Sequence, residues 1–186
     1  MTELWRLSAR EVVARLRQRE LTPAELIDAA LARIAETDGA LNALPTLCAE
    51  RARASARALM DLPAREQPPG WLAGLPLAVK DLNAVAGVRT TFGSPIYADH
   101  VPERSDIMVE TLEANGGIVL AKSNTPEFGA GANTFNEVFG ETRNPWSTAL
   151  TPAGSSGGSA AALACGQVWL ATGSDLGGSL RTPASF

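Results

Sequence analysis

The chain has 186 residues, 45% of them hydrophobic and 19% charged, proportions ordinary for a soluble globular domain able to bury a core of its own. A formal net charge of -4 leaves no basic footprint for nucleic acid, and the arginine-rich stretch from Arg51 to Arg65 is diluted by Glu50, Asp61 and Glu66. Two distant cysteines, Cys48 and Cys165, and a single histidine, His100, offer no metal-ligand spacing and no ready histidine triad.

The opening residues, Met1-Thr2-Glu3-Leu4-Trp5-Arg6, carry an early acid and no uninterrupted apolar run, so neither a secretory signal nor a membrane span is expected, and the chain reads as cytoplasmic. Ser8-Ala9-Arg10-Glu11 has the form of a capping box ahead of Val12, Val13 and Leu16. Thr22-Pro23-Ala24-Glu25 repeats it, with proline at the first helical position before Leu26, Ile27, Ala30, Leu31 and Ile34, and Asp38-Gly39 is expected to end that second helix. Alanine and arginine content predicts a third helix from about Leu47 to Met60. It runs into Pro63 and the linker-like Glu66-Gln67-Pro68-Pro69-Gly70, which divides the chain into a helical arm, 1–66, and a core, 67–186.

Beyond that junction strands and helices alternate. Leu75 to Val79 reads as a short buried strand, Ser105-Asp106 caps a helix running through Glu113, Asn115-Gly116-Gly117 turns the chain, and Ile118 to Ala121 is the next strand. After a loop-rich stretch from Asn124 to Pro152, Ser159 to Ala164 reads as a helix ending near Cys165-Gly166, with Cys165 a small buried residue, and Val168 to Ala171 as a strand. Such alternation predicts an α/β layer architecture.

The chemistry is concentrated in two serine-glycine clusters, Gly154-Ser155-Ser156-Gly157-Gly158-Ser159 and Gly173-Ser174-Asp175-Leu176-Gly177-Gly178-Ser179, with a lysine upstream at the end of the run Leu75-Pro76-Leu77-Ala78-Val79-Lys80. A serine hydroxyl is a weak nucleophile until a base takes its proton. Lysine can be that base where burial disfavours its ammonium form. Lys80 beside Asp81 also reads as a surface ion pair; it is the two serine clusters that turn the reading towards a base. The second cluster has the layout of a strand-to-helix turn whose N–H groups converge on one point, as an oxyanion hole or a phosphate cradle requires. A phosphate loop is the weaker reading, because neither glycine pattern of nucleotide-binding loops is present. In the first cluster Ser156 and Ser159 read as helix-capping residues.

These clusters, together with Ala78-Val79-Lys80-Asp81, Lys122-Ser123-Asn124-Thr125-Pro126-Glu127-Phe128-Gly129, Arg143-Asn144-Pro145-Trp146 and the run through Leu180-Arg181-Thr182-Pro183-Ala184, resemble the amidase signature family along nearly the whole chain. The resemblance implies a mixed sheet covered by helices. It makes Ser179 the acylated nucleophile, Lys80 the base and Ser155 the bridging serine, preceded by a cis peptide at Gly154–Ser155. Backbone N–H groups of Leu176, Gly177, Gly178 and Ser179 would form the oxyanion hole, while Asp175 and Arg181 shape the turn. No metal or organic cofactor is required. One departure is Ala153, where the family often has glycine; a larger one is length, since members are more than twice as long.

The activity implied is hydrolysis of carboxylic amides through an acyl-enzyme. One alternative is the glutamine-hydrolysing subunit of a tRNA-dependent amidotransferase, and another a catalytically inactive fragment acting as an assembly module. The expected partners are a small-molecule amide and, because the sheet reads as incomplete, a second copy or a partner chain, with no direct contact to nucleic acid or membrane.

Overall fold

In a computed structural model, which describes residues 3–60, 68 and 70–186, the first two helices start where their caps place them. In α1 (Ala9–Arg17) the Glu11 amide donates to Ser8 Oγ at 3.3 Å and the Ser8 amide donates to the Glu11 carboxylate at 2.8 Å. Thr22 and Glu25 repeat both bonds at the same distances at the head of α2 (Pro23–Leu41). That helix does not stop at Asp38-Gly39. It runs one turn further to Asn42, which takes the left-handed conformation at φ 54°. Asp38 acts from inside the helix, its carboxylate accepting the amides of Ala43 and Leu44 just past the end, at 2.7 and 3.2 Å. A third helix, α3, spans Ala49–Met60.

A mixed sheet follows, in the order β1 (Thr46–Leu47), β3 (Ile118–Ser123), β2 (Pro76–Lys80) and β6 (Leu170–Ala171). The β2 strand runs parallel to β3 and to β6, and β1 is antiparallel to β3. Two residues each of β4 (Phe135–Asn136) and β5 (Gly140–Glu141) make a separate hairpin. Among the described residues the remaining α-helices are α4 (Ile107–Ala114), α5 (Gly157–Ala164) and α6 (Arg181–Ser185).

Every residue of β2 and β3 is buried, because helices cover both faces of these parallel strands. On one face Ala78, Ile118 and Leu120 pack against Ile27, Ala30 and Ile34 of α2, Ala52 and Ala56 of α3, and Ala161 and Ala162 of α5. On the other, Leu77, Val79 and Val119 pack with Val85, Val88 and Val109 of α4. Each fully buried valine, leucine or isoleucine in these layers contributes about 1.5–3 kcal/mol, and each alanine less. The helices of segment 1–66 thus share a core with the sheet, and β1 extends it, while the junction read at Glu66-Gln67 lies outside the described residues. Among the described residues no helix is long and apolar enough to cross a membrane.

The helix expected from Ser159 begins two residues earlier, at Gly157, and close approach is the reason glycine is needed there. A Cβ on Gly158 would lie 2.4 Å from the amide nitrogen of Asn124. Cys165 caps the end of α5 half-buried, its carbonyl accepting from Arg33 Nε at 2.7 Å.

Candidate active site

Lys80 is the last residue of β2, and register places it opposite Ser123, so its side chain leaves the sheet on the α5 side. Its amide is held by Thr172 Oγ1 at 2.9 Å, just past β6. The side chain is fully buried, and Nζ lies 2.7 Å from Ser155 Oγ, 3.0 Å from Ser156 Oγ and 2.9 Å from Ser174 Oγ. Among the described residues three hydroxyls and no carboxylate lie within hydrogen-bonding distance of Nζ. The surface ion pair with Asp81, the other reading of this lysine, is not formed.

The hydroxyls are positioned by the backbone around the start of α5. The Gly154–Ser155 peptide is cis, and Ala153 before it sits at φ 60°, a conformation glycine adopts with less strain. Thr134 Oγ1 donates to Ala153 O at 2.8 Å and accepts from Gly157 N at 3.1 Å; Thr125 Oγ1 donates to Ser155 O at 3.2 Å. These bonds fasten the serine segment at both ends to the loop after β3. Ser174 comes from beyond β6 and is linked to Ser156, whose Oγ accepts the Ser174 amide at 3.3 Å.

Burial pulls the Lys80 amine down to about 8, and the negative charge of Asp175 acts the other way. Hydroxyls suit that low value, since each can donate to the neutral amine as readily as accept from the ammonium.

Ser179 stands in the turn before α6, half-buried, and joins the cluster through its backbone, its carbonyl accepting from Ser156 N at 3.1 Å. Among the described residues no hydrogen bond links its hydroxyl to Ser155 Oγ. The turn is organised by Asp175, which accepts from the amides of Gly178, Leu180 and Arg181 at 2.7, 3.1 and 3.1 Å and pairs with the Arg181 guanidinium at 2.9 Å. Arg181, together with these amides, holds the Asp175 carboxyl well below the usual carboxylate range. Of the four N–H groups expected to face an oxyanion, that of Gly178 is therefore taken by Asp175. Those of Leu176, Gly177 and Ser179 have no acceptor among the described residues.

The family model described as Amidase matches residues 25–186 of this chain. The chain belongs to the amidase signature family. It is 45% identical over 184 residues to one subunit of the glutamyl-tRNA(Gln) amidotransferase of Anaeromyxobacter dehalogenans, covering 99% of this chain and 37% of that relative. Among solved structures, a vestigial protein complex bearing on the origins of an s-triazine catabolic enzyme is 40% identical with a TM-score of 0.89, over 96% of this chain and 39% of that one. A bacterial aryl acylamidase of the amidase signature family is 33% identical with a TM-score of 0.89, over 97% of this chain and 38% of its own. The chain thus spans well under half the length of the amidases it matches.

Two contacts of Lys80 and one ion pair in this amidase fold are not evident from the sequence. In the sequence Ser156 reads as a cap and Ser174 carries no signal of its own, yet both hydroxyls touch Nζ. Asp81, which reads as a possible partner of Lys80, instead meets Lys122 Nζ at 3.0 Å, with both side chains almost wholly buried. One compositional signal pointed there: the chain has two lysines, Lys80 and Lys122, against 14 arginines.

Proposed function

We propose that the chain carries the proton-relay machinery of the glutamine-hydrolysing subunit of a tRNA-dependent amidotransferase, with glutamine as the carboxamide substrate and partner chains to receive the ammonia. The observation that carries an amide-cleaving role is the buried Lys80 amine on three serine hydroxyls, with no carboxylate in contact among the described residues. The choice of glutamine is supported by the 45% identity to a component of a glutamyl-tRNA(Gln) amidotransferase. It moves ahead of the free-standing amide hydrolase that the motifs alone placed first.

In this reading neutral Lys80 takes the proton of Ser155 as Ser155 takes that of Ser179, whose hydroxyl turns towards Ser155 by rotation about its own side-chain bond. Ser179 Oγ attacks the carboxamide carbon. The free N–H groups of Leu176, Gly177 and Ser179 receive the oxyanion, ammonia leaves carrying the relayed proton, and water then cleaves the ester.

Ammonia release from glutamine, followed beside hydrolysis of an acyl anilide, tests the reading. Glutamine is expected to be the better substrate, and a sulfonyl fluoride is expected to modify Ser179 and nothing in Ser179→Ala. An adduct on another serine, still formed in Ser179→Ala, overturns the assignment of the nucleophile. Preference for the anilide instead supports a free-standing hydrolase, a reading favoured by the 33% identity to the aryl acylamidase. No turnover of either substrate by the folded protein leaves the assembly module.

The pH dependence is fixed in sign. Only neutral Lys80 accepts a proton, so the rate is expected to climb with pH and level off above about 8. At pH 7 about one molecule in ten holds the neutral amine. The unfolded chain binds the proton more tightly, so stability also rises with pH between about 8 and the ordinary lysine value of 10.5. A flat rate profile from pH 6 to 9 contradicts the lysine base.

A further inference from the structure

Lys122 takes no part in this relay, yet it is as deeply buried as Lys80. It lies on β3 opposite Val79, one register position from the Lys80–Ser123 pair, so its side chain leaves the sheet on the face away from Ser155. Its surroundings differ in kind from those of Lys80. Nζ donates to Asn83 O at 2.6 Å and Thr90 Oγ1 at 2.8 Å, and stands 3.0 Å from Asp81 Oδ1. No well-aligned donor reaches that oxygen, so charge rather than hydrogen-bond direction sets the approach. A carboxylate and a carbonyl can only accept, which suits an ammonium and not a neutral amine.

The atoms that Lys122 holds are those that fix the end of β2. Asp81 donates its amide to Ser123 O at 3.0 Å, and its Oδ2 accepts from the Thr91 amide at 3.0 Å and the Thr91 hydroxyl at 2.6 Å. Asn83, whose carbonyl meets Lys122, donates its amide to the carbonyl of Lys80 itself at 2.9 Å. Asp81 also follows the base directly in sequence, and a carboxylate without a counter-ion there would favour the ammonium form of Lys80.

We propose that Lys122 is a positioning residue for the base, acting through Asp81: it anchors the chain leaving β2 and cancels the buried carboxylate charge beside Lys80. The inference rests on the reading of Lys80 as the base. The other charged or titratable groups around the two amines are Asp175, itself paired with Arg181, near Lys80, and Asp106 at the head of α4 and Cys48 before α3 near Lys122. Burial lowers the proton affinity of Lys122 and Asp81 opposes that, as an ion pair requires.

Because this 186-residue chain has two lysines, labelling its lysine Cε with carbon-13 gives two NMR signals, both from this region. In the wild-type protein the Lys80 signal is expected to titrate at about 8. In Lys122→Met the remaining signal is expected to move up by about one pH unit, with the acid limb of kcat/KM moving alongside it. Adding Asp81→Asn to that variant is expected to bring both back. A folded Lys122→Met protein in which Lys80 titrates as in wild type overturns the inference while leaving the base reading intact. If Lys80 titrates near the ordinary 10.5 in wild type, the base reading fails, and the inference with it. Should Lys122→Met not fold, Asp81→Asn alone decides: the Lys122 midpoint falls if the pair is real, and an unmoved midpoint overturns it.

Discussion

Replacing Lys80 by methionine is expected to lower the acylation rate of Ser179 by about 10³-fold or more while leaving the fold intact. The two halves of this expectation have separate causes. Methionine fills nearly the same buried volume, and removing an amine whose ammonium form is disfavoured by burial takes away an unfavourable solvation cost. Ser156 keeps its bonds to the Ser174 backbone, its Oγ donating to Ser174 O and accepting from Ser174 N at 3.3 Å each, while the Ser155 and Ser174 hydroxyls give up the side-chain partner they share in Lys80. The relay, by contrast, loses its only proton acceptor. Thermal unfolding and single-turnover acylation on the same preparation separate the two effects. A thermal midpoint equal to wild type with a rate within about tenfold of it would remove Lys80 from the mechanism.

The second large effect concerns folding. Gly158→Ala is expected to destabilise the protein by more than about 3 kcal/mol, although alanine in a helix is ordinarily favoured over glycine by about 0.5–1 kcal/mol. The added methyl would lie 2.4 Å and 2.6 Å from the backbone nitrogen and oxygen of Asn124 and 2.9 Å from Ala43 O. None of these is the free end of a side chain, so α5 itself must move, and with it the serines at its head. Gly39→Ala provides the internal comparison. Gly39 lies within α2 with nothing within 4 Å of its would-be Cβ, so the same change there is expected to stabilise by about 0.5–1 kcal/mol. Urea unfolding of the two variants gives opposite signs if close approach is what selects glycine at 158.

Much of this architecture is legible because its signals are local. Both capping boxes form as read, and the apolar runs before Lys80 and after Gly117 become β2 and β3. Asp38 does help to terminate its helix, but not at its own position, because its carboxylate reaches forward to amides five and six residues on instead of stopping the helix where it stands. The two-residue strands β1, β4 and β5 leave no trace in the sequence, since two residues show no period. The Lys122–Asp81 pair is hidden for another reason. It depends on which residue of β3 faces which residue of β2, and a register shift between Leu77 and Ala78 sets that alignment only once the strands have paired.

The scarcity of lysine has a consequence for dynamics. Both ε-amines are fully buried and every other basic side chain apart from His100 is arginine, so an amine-directed reagent meets no exposed lysine on the folded surface. Lysine modification then proceeds through opened states alone, and its rate becomes a clock for how often the sheet parts at the end of β2. Reactivity that most proteins scatter over their surface is confined here to the place where the chemistry is proposed to occur.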